Sequence, residues 1–272
     1  MGRGDAAAIC VCPFCPAMSD PCSRVIDVLD YNTEAAVYDT TRGGVPRALA
    51  AADAVLGLIP PTARVLLDIG CGTGLVTERM ALGRPGLRVI GADASPGMAR
   101  MAHQRVGAVA LADVRRLPLA AGAVDAVSAV WLLHLLRTEG AVEAVVAEAA
   151  RVLKPGGVLV TTVDKDAGHD VGSDIDDLFA PYLTSDASDG AEKVGAYAGR
   201  HGLEQAGEAR FVGHGQGRSP LDTARAVRRG QFTSRLHLPG NAAERLAMRL
   251  TGLPEADRPR PDPEYRLLAF RR

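Results

Sequence analysis

The stretch that most constrains the fold is a glycine-rich loop directly after a short apolar strand. Residues 64–69 read Arg-Val-Leu-Leu-Asp-Ile, and residues 70–74 read Gly-Cys-Gly-Thr-Gly. Glycine is needed where a backbone turns sharply or lets a ligand approach, because it has no Cβ. The third glycine comes too early for the dinucleotide fingerprint, and no Gly-Lys-Ser/Thr of a P-loop follows. The loop therefore predicts a cofactor site that does not hold a pyrophosphate.

The segments around this loop alternate between predicted strands and helices. The apolar runs predict strands over residues 64–69, 87–92, 106–111, 124–130, 158–163, 208–212 and 265–270. Helical patterns fall at residues 73–82, from Ser95, from about 138 to 153, and at 194–201, 219–229 and 241–250. Residues 164–189 are rich in Asp, Gly and Ser and are interpreted as a long loop or lid. The alternation predicts an α/β fold, a doubly wound parallel sheet with helices on both faces.

Length and composition restrict the number of domains and the kinds of partner that we expect for this chain. The chain has 272 residues and a net charge of −1, which does not favour a protein that mainly grips a nucleic-acid backbone. No apolar run approaches the roughly 18 residues that span a bilayer, so no membrane partner is expected. We expect an N-terminal extension over 1–20, lid helices over 21–60 and one domain over 61–272 with cap insertions at about 164–200 and 218–260.

Four of the five cysteines precede Ser23, at positions 10, 12, 15 and 22. The Cys12-x-x-Cys15 spacing is compatible with zinc, but the second distant pair of a four-ligand site is missing. We interpret residues before Met18 as a disordered extension rather than a metal site. Thiols without a disulfide pattern predict a cytoplasmic location.

Two acidic residues follow the strands beside the loop. Asp93 ends the second strand, where a carboxylate accepts hydrogen bonds from a ribose diol, and Asp113 lies just past the third. The position of Asp113 suits an acceptor for an exocyclic amine. The carboxyl ends of parallel strands are where open α/β sheets bind ligands, so both residues are expected at one site.

Together these motifs resemble the class I S-adenosylmethionine-dependent methyltransferases, in particular the small-molecule, type 11-like group. The stretches that carry the resemblance are 65–74 (VLLDIGCGTG), 91–98 (GADASPGM), 112–114 (ADV), 124–127 (VDAV) with His134, and 151–157 (RVLKPGG). It covers residues 65–163 directly. The family fold implies a Rossmann-like sheet of seven strands with the last strand antiparallel.

The resemblance also implies a site for S-adenosyl-L-methionine, with S-adenosyl-L-homocysteine (SAH) as product. The residues it assigns to the cofactor are Asp68, Gly70, Cys71, Gly72, Gly74, Asp93, Ala94, Met98, Asp113 and Val114, with Tyr38 and Arg42 contacting its methionine end or the substrate. The expected partner is a small-molecule substrate, with no nucleic acid, for a monomer or homodimer.

Methyl transfer from a sulfonium mainly needs the nucleophile held in line, and a base only where the nucleophile must lose a proton. His134 is the candidate base, or it packs beside the cofactor. The candidate substrate pocket comprises Tyr31, Trp131, His134 and Arg229. Trp131 is either a wall of this pocket or a packing residue, and Arg229 comes from an arginine cluster that is otherwise a solvated helix face. His169 and the aspartates around it are a possible set of metal ligands, but the glycines in this stretch favour a mobile lid, and no metal is expected.

The function favoured by these features is methylation of a small molecule at O, N or C, with secondary metabolism in bacteria as a setting suggested by composition. One alternative is an RNA or protein methyltransferase, although residues 129–132 read Ala-Val-Trp-Leu where amino-group enzymes carry Asn/Asp-Pro-Pro-Tyr/Phe. The other alternative is a non-catalytic homologue that keeps the cofactor site.

Overall fold

The computed structural model describes residues 38–184, 187–232 and 235–272 of the chain. The seven strands in these ranges are β1 Val65–Ile69, β2 Arg88–Asp93, β3 Val109–Leu111, β4 Val124–Ala129, β5 Leu153–Val163, β6 Glu204–Val212 and β7 Glu264–Arg271. The α-helices that lie wholly within the described residues are α1 Gly44–Leu58, α2 Leu75–Gly83, α3 Pro96–Val106, α4 Ala141–Val152, α5 Asp174–Phe179, α6 Ala191–Arg200, α7 Pro220–Arg228 and α8 Ala242–Thr251. Single 3₁₀ turns lie at Leu133–Leu135, Ala167–His169 and Ala180–Tyr182.

The strands form one sheet in the order β3-β2-β1-β4-β5-β7-β6. β1 pairs in parallel with β2 and β4, β2 with β3, and β4 with β5. β7 runs antiparallel to both of its neighbours, β5 and β6. The predicted α/β fold with an antiparallel last strand is confirmed, and the ends of β1, β2 and β4 meet at one edge of the sheet.

Apolar layers cover both faces of this sheet. On one face, Val142, Val145 and Val146 of α4 and Ala198 of α6 pack with Leu67, Val127 and Leu159 of the strands. On the other face, the layer joins Ala51 and Val55 of α1 and Met80 of α2 to Leu66, Val89 and Val160. Strands that are buried on both sides read as continuous apolar runs, which is why the sequence pattern located them.

The third strand is shorter than predicted. Residues 106–111 were expected to be extended, but α3 continues to Val106 and ends at Gly107, which has a φ of 73°. At the other end of α3, the Ser95 side chain accepts a hydrogen bond from the Met98 N–H, and Pro96 occupies the first turn. A serine cap followed by proline is a strong helix start, and this prediction is confirmed.

The interpretation of residues 164–189 as a loop is wrong in part. Within this stretch, α5 begins at Ser173 with a capping box in which the Asp176 side chain returns to the Ser173 N–H. The apolar side of α5 packs against α7 and α8 in a third cluster, which contains Ile175, Leu178, Phe179, Ala224, Val227, Leu236, Leu246, Ala247 and Leu250. We call α5, α7, α8 and their connecting segments the cap. The cap is formed by segments that lie far apart in the sequence, and local composition therefore did not predict it.

Among the residues that the structure describes, no helix is long and apolar enough to cross a membrane. The cysteines at positions 10, 12, 15 and 22, the N-terminal extension and Tyr31 lie outside the described residues.

Candidate active site

The glycine loop connects β1 to α2 through three left-handed residues. Gly70, Gly72 and Gly74 have φ values of 65°, 57° and 80°. A Cβ at Gly74 would lie 2.7 Å from the Ala102 Cα of α3, whereas a Cβ at Gly72 would meet no atom within 4 Å. Gly74 therefore serves close packing of two helices, while Gly72 leaves the backbone open on the side that faces away from the protein.

Cys71 fills the space beneath the loop. Its side chain is buried, and a Cβ on Gly91 of β2 would approach the Cys71 Sγ to 2.9 Å. Burial and the neighbouring Asp68 and Asp93 carboxylates raise the pKa of the Cys71 thiol far above its usual range. A neutral, buried thiol of this kind is a packing residue rather than a nucleophile.

Asp68, at the end of β1, anchors the loop from below. One carboxylate oxygen accepts a hydrogen bond from the Thr77 hydroxyl at 2.6 Å, and the other accepts from the Ser128 hydroxyl at 2.7 Å. Burial raises the pKa of Asp68 to about 6, and the two hydroxyl donors oppose that shift. Asp68 thus ties β1, α2 and β4 together under the loop.

Asp93, at the end of β2, faces the glycine loop. Its carboxylate accepts hydrogen bonds from the Gly72 N–H at 2.8 Å and from the Ser95 N–H at 2.8 Å, one on each oxygen. The side chain is half-buried, and burial raises the pKa of Asp93. Each oxygen has a second acceptor site, so this carboxylate holds the loop and still offers acceptors to a diol.

The predicted adenine-facing residues lie after β3 and at the start of α3. The Asp113 carboxylate is held by the Arg115 guanidinium, with nitrogen–oxygen distances of 2.7 to 3.1 Å, and this pairing lowers the pKa of Asp113. Val114 and Met98 are buried, whereas Ala94 is exposed. The Asp113 carboxylate is therefore paired with the Arg115 side chain, whereas the Asp93 carboxylate is held by backbone N–H groups.

The segment before α1 packs over the loop. The Asp39 carboxylate accepts hydrogen bonds from the Thr73 hydroxyl and from Arg105 of α3, both at 2.6 Å. At the start of α1, a Cβ on Gly43 would fall 2.0 Å from the His214 carbonyl oxygen, so glycine is required for this contact. These contacts bring Tyr38 and Arg42, with the Arg42 guanidinium 5.8 Å from the Tyr38 ring, above the same end of the sheet.

Trp131 follows β4 in a strained conformation and forms the floor of the region next to the loop. Its φ is 54°, and its backbone N–H donates to the Thr162 hydroxyl at 2.8 Å. The Arg47 guanidinium of α1 stacks 3.4 Å from the centroid of the Trp131 ring. Tyr265 packs edge-on against the other side of the ring at 5.3 Å. A left-handed residue other than glycine is costly and is maintained only where the surroundings enforce it.

His134 lies in the 3₁₀ turn after Trp131. Its Nδ1 is buried and has no hydrogen-bond partner in the described part of the chain. Burial, followed by the nearby Lys165 and Arg137 cations, lowers the pKa of His134 well below its usual range. The imidazole is therefore neutral at physiological pH and retains an unused polar atom.

A pocket with a cavity volume of about 50 Å³ lies between the cap and the start of β7. We call it the cap pocket. Its lining includes His169, Val171, Ser173, Ile175, Asp176, Phe179, Gln216, Arg218, Thr223, Phe232, Arg235, Arg260, Pro261 and Pro263. The Tyr265 hydroxyl, which donates to the Gln216 side chain at 2.6 Å and lies 3.3 Å from the His169 Nε2, connects this pocket to Trp131.

The structure does not bring Arg229 into the cap pocket. Arg229 is exposed at the end of α7, and its neighbours Arg225 and Arg228 pair with Asp222 and Glu244. Arg218 and Arg235 occupy the pocket instead. Arg47, Gln216 and Arg218 could not be predicted from the sequence, because no motif marks them and only the fold brings them near Trp131 and Tyr265.

Across the described residues, no group of three or more His, Cys, Asp or Glu side chains is arranged to hold a metal ion. The aspartates around His169 have other partners. Asp166 pairs with Lys165, Asp174 with Arg260, and Asp164 with Arg266.

The sheet order, the glycine loop and Asp93 place the chain among Rossmann-like α/β proteins with a cofactor loop after the first strand. Residues 67–161 match the family described as a methyltransferase domain. This match covers about a third of the chain, and over these residues the chain is similar to class I S-adenosylmethionine-dependent methyltransferases.

One relative and two solved structures illustrate this similarity. A malonyl-[acyl-carrier protein] O-methyltransferase of Herminiimonas arsenicoxydans is 31% identical over 146 residues, which are 53% of this chain and 54% of the relative. The [4+2]-cyclase SpnF shares the fold with a TM-score of 0.57 at 20% identity, covering 89% of this chain and 94% of SpnF. The N-methyltransferase NodS of Bradyrhizobium japonicum, solved with SAH, has a TM-score of 0.55 at 19% identity and covers 89% and 95%.

The chain spans between about a third and a half of the length of the first curated relatives it matches. The two structures, both under 25% identical, show the fold alone.

Proposed function

We propose that this protein transfers the methyl group of S-adenosyl-L-methionine to a small-molecule acceptor at O, N or C. The observation that carries the proposal is the pairing of Gly72 with Asp93. The open side of Gly72 leaves room for a ligand against the backbone, and Asp93 holds that backbone while keeping acceptor capacity.

The residues present fit a nucleoside-containing cofactor. Asp93 would take the ribose hydroxyls, and Gly72, where a Cβ would meet no atom within 4 Å, would allow close approach of the methionine portion beside Gly70. Val114, Met98 and Ala94 would lie beside the adenine, with Asp113 at its edge. Tyr38 and Arg42 would cover the methionine end, because Asp39 fastens their segment to Thr73 in the loop. The binding of SAH by NodS is consistent with this placement.

The bound sulfonium supplies an activated methyl group, so the protein's task is to position the acceptor and exclude water. Trp131 would form a wall beside the methyl group, since it is fixed between Arg47 and Tyr265. His134 would act as the base, because its buried Nδ1 has no partner in the described structure and its imidazole is neutral. A neutral imidazole accepts a proton from a hydroxyl or an amine in the transition state.

The cap supports a small acceptor over a macromolecule. α5, α7 and the segments that follow α7 and precede β7 line a concave pocket, and the net charge of −1 does not favour a nucleic-acid backbone. We further propose that the protein acts in the cytoplasm, in line with its cysteine usage, as a monomer or homodimer.

Thermal unfolding with SAH tests the cofactor assignment. A ligand that binds only the folded state at about 100 times its Kd adds about 2.7 kcal/mol of stability, which raises the Tm of a chain this size by roughly 5–10 °C. ADP is the control, because it brings a pyrophosphate for which the loop is not built. The absence of a shift with saturating SAH, or an equal shift with ADP, would contradict the proposal.

A further inference from the structure

Three arginines line the cap pocket, and their charges are balanced unequally. Arg260 pairs with Asp174 through two contacts of 2.7 Å, and Arg235 faces Asp176 at 3.7 Å. Arg218 has no carboxylate within ion-pair distance in the described part of the chain, and its guanidinium lies 4.5 Å from the Phe232 ring centroid. Arg218 is thus the cation of the pocket whose charge the described residues leave unbalanced.

A second such cation, Arg47, lies on the ring of Trp131, which also contacts Tyr265. Arg47 is 8% exposed, donates to the Arg42 carbonyl oxygen and stacks on Trp131, but it has no acidic partner among the described residues. Its Nε is buried without a hydrogen-bond partner there. Burial lowers the pKa of both Arg47 and Arg218, and Tyr265, whose ring contacts Trp131 and His169, acts electrostatically on both.

An unpaired cation taken out of water costs several kcal/mol, so proteins seldom keep one without a use. Lys165, a half-buried cation of this region, pairs with Asp166 at 3.1 Å. Guanidinium groups suit carboxylate and phosphate because their N–H groups match the oxygens in pairs. The pocket also offers apolar surface from Phe179 and Phe232 beside Arg218.

Building on the proposed function, we propose that the acceptor is an anion. A carboxylate or phosphate group of the acceptor would bind Arg218 in the cap pocket, with its apolar part against Phe179 and Phe232. The end that receives the methyl group would lie toward Trp131 and His134, past Tyr265 and Arg47. The anionic group is the handle by which the molecule is held, and methylation takes place at its other end.

Binding of simple probes tests the handle without knowledge of the acceptor. Phenylacetate, phenyl phosphate and the neutral phenylacetamide would each be titrated calorimetrically into the whole protein, with and without SAH. We expect at least one of the two anions to bind and the amide not to bind. Binding of phenylacetate alone would identify the handle as a carboxylate, and binding of phenyl phosphate alone would identify it as a phosphate. Equal binding of the amide, or no binding of either anion, would overturn the proposal.

The variant Arg218→Met keeps an apolar stem on Phe232 and removes the charge. We expect it to weaken anion binding by roughly 10- to 100-fold, because a hydrogen-bonded charge pair is lost. Arg249→Met on the exposed side of α8 is the matched control and should bind the anions as the unmodified protein does. Because an unbalanced cation is removed, the Tm of ligand-free Arg218→Met should be unchanged or higher.

A lower Tm combined with unchanged anion affinity would assign Arg218 a structural role and contradict the proposal. The SAH titration separates this outcome from failure of the proposed function. SAH binding without anion binding would overturn the anionic acceptor alone. Anion binding without SAH binding would support the pocket and overturn the methyltransferase assignment.

Discussion

The two sides of the candidate site balance their charges in opposite ways. On the cofactor side, every carboxylate has a donor: Asp68 has two hydroxyls, Asp93 two backbone N–H groups, and Asp113 a guanidinium. On the cap side, Arg47 and Arg218 have no acidic partner among the described residues. The carboxylates of the cofactor side are therefore balanced by protein donors, whereas the cap side holds positive charge that an anionic ligand would balance.

The two sides also differ in how the chain builds them. The cofactor side comes from turns that directly follow β1, β2 and β3, so its residues are close in sequence to the strands that position them. The cap side joins α1, the turn after β4, the segment before α7 and the start of β7. A site made from consecutive turns is fixed by local backbone geometry, while a site made from distant segments depends on the packing of the cap.

The largest expected effect concerns the junction of the two sides, at His134. If His134 is the base, His134→Gln should reduce kcat by roughly 10²- to 10⁴-fold, measured as SAH release with an acceptor that is turned over. Because burial lowers the pKa of His134 well below its usual range, the imidazole is unprotonated at neutral pH, and kcat should be level around neutrality. The rate should fall only in more acidic solution, as the imidazole gains a proton. An unchanged kcat in His134→Gln would make His134 a packing residue.

The next effect separates the two carboxylates of the cofactor side. Asp93→Ala should weaken SAH binding on the order of 100-fold, because it removes acceptors for the ligand and releases the Gly72 and Ser95 N–H groups. Asp113→Ala should have a smaller effect, since Arg115 already occupies both of its oxygens. Calorimetric titration measures both, and an equal or larger loss in Asp113→Ala would reverse the ranking.

The smallest effect distinguishes the glycines within the loop. Gly74→Ala should lower the free energy of unfolding by about 2 kcal/mol, because alanine is strained at a φ of 80° and meets the Ala102 backbone. Gly72→Ala is the matched variant, with backbone strain but open space. It should unfold closer to the native protein and lose more SAH affinity. Chemical denaturation and SAH titration of the two variants check this, and a more stable Gly74→Ala than Gly72→Ala would contradict the packing argument.

The same division explains what could be predicted from the sequence. The strands were located because each is an apolar run bounded by turn residues, and Ser95-Pro96 gave the start of α3. Asp68, Asp93 and the glycines lie at strand ends, so their position followed from strand order. The short β3 was mispredicted because helix and strand patterns overlap at residues 106–111, and Gly107 decided the boundary.

The cap side could not be predicted, for reasons that are physical. Arg229 was selected from an arginine cluster, but Arg229 is exposed at the end of α7, and Arg225 and Arg228 pair with Asp222 and Glu244. Arg218 precedes α7 and has no neighbouring motif, and Arg47 lies more than eighty residues before the tryptophan on which it stacks. Residues 164–189 gave no helical signal strong enough to reveal α5, which is held by its capping box and by packing on α8.

The most direct test of the central claim is a crystal structure of the protein with SAH bound. We predict that the ribose hydroxyls lie within hydrogen-bond distance of the Asp93 carboxylate, with the homocysteine chain along Gly70 and Gly72. The sulfur should point toward Trp131 and His134, on the side that leads to Arg218. SAH bound elsewhere, or with its ribose away from Asp93, would contradict the assignment of the cofactor side.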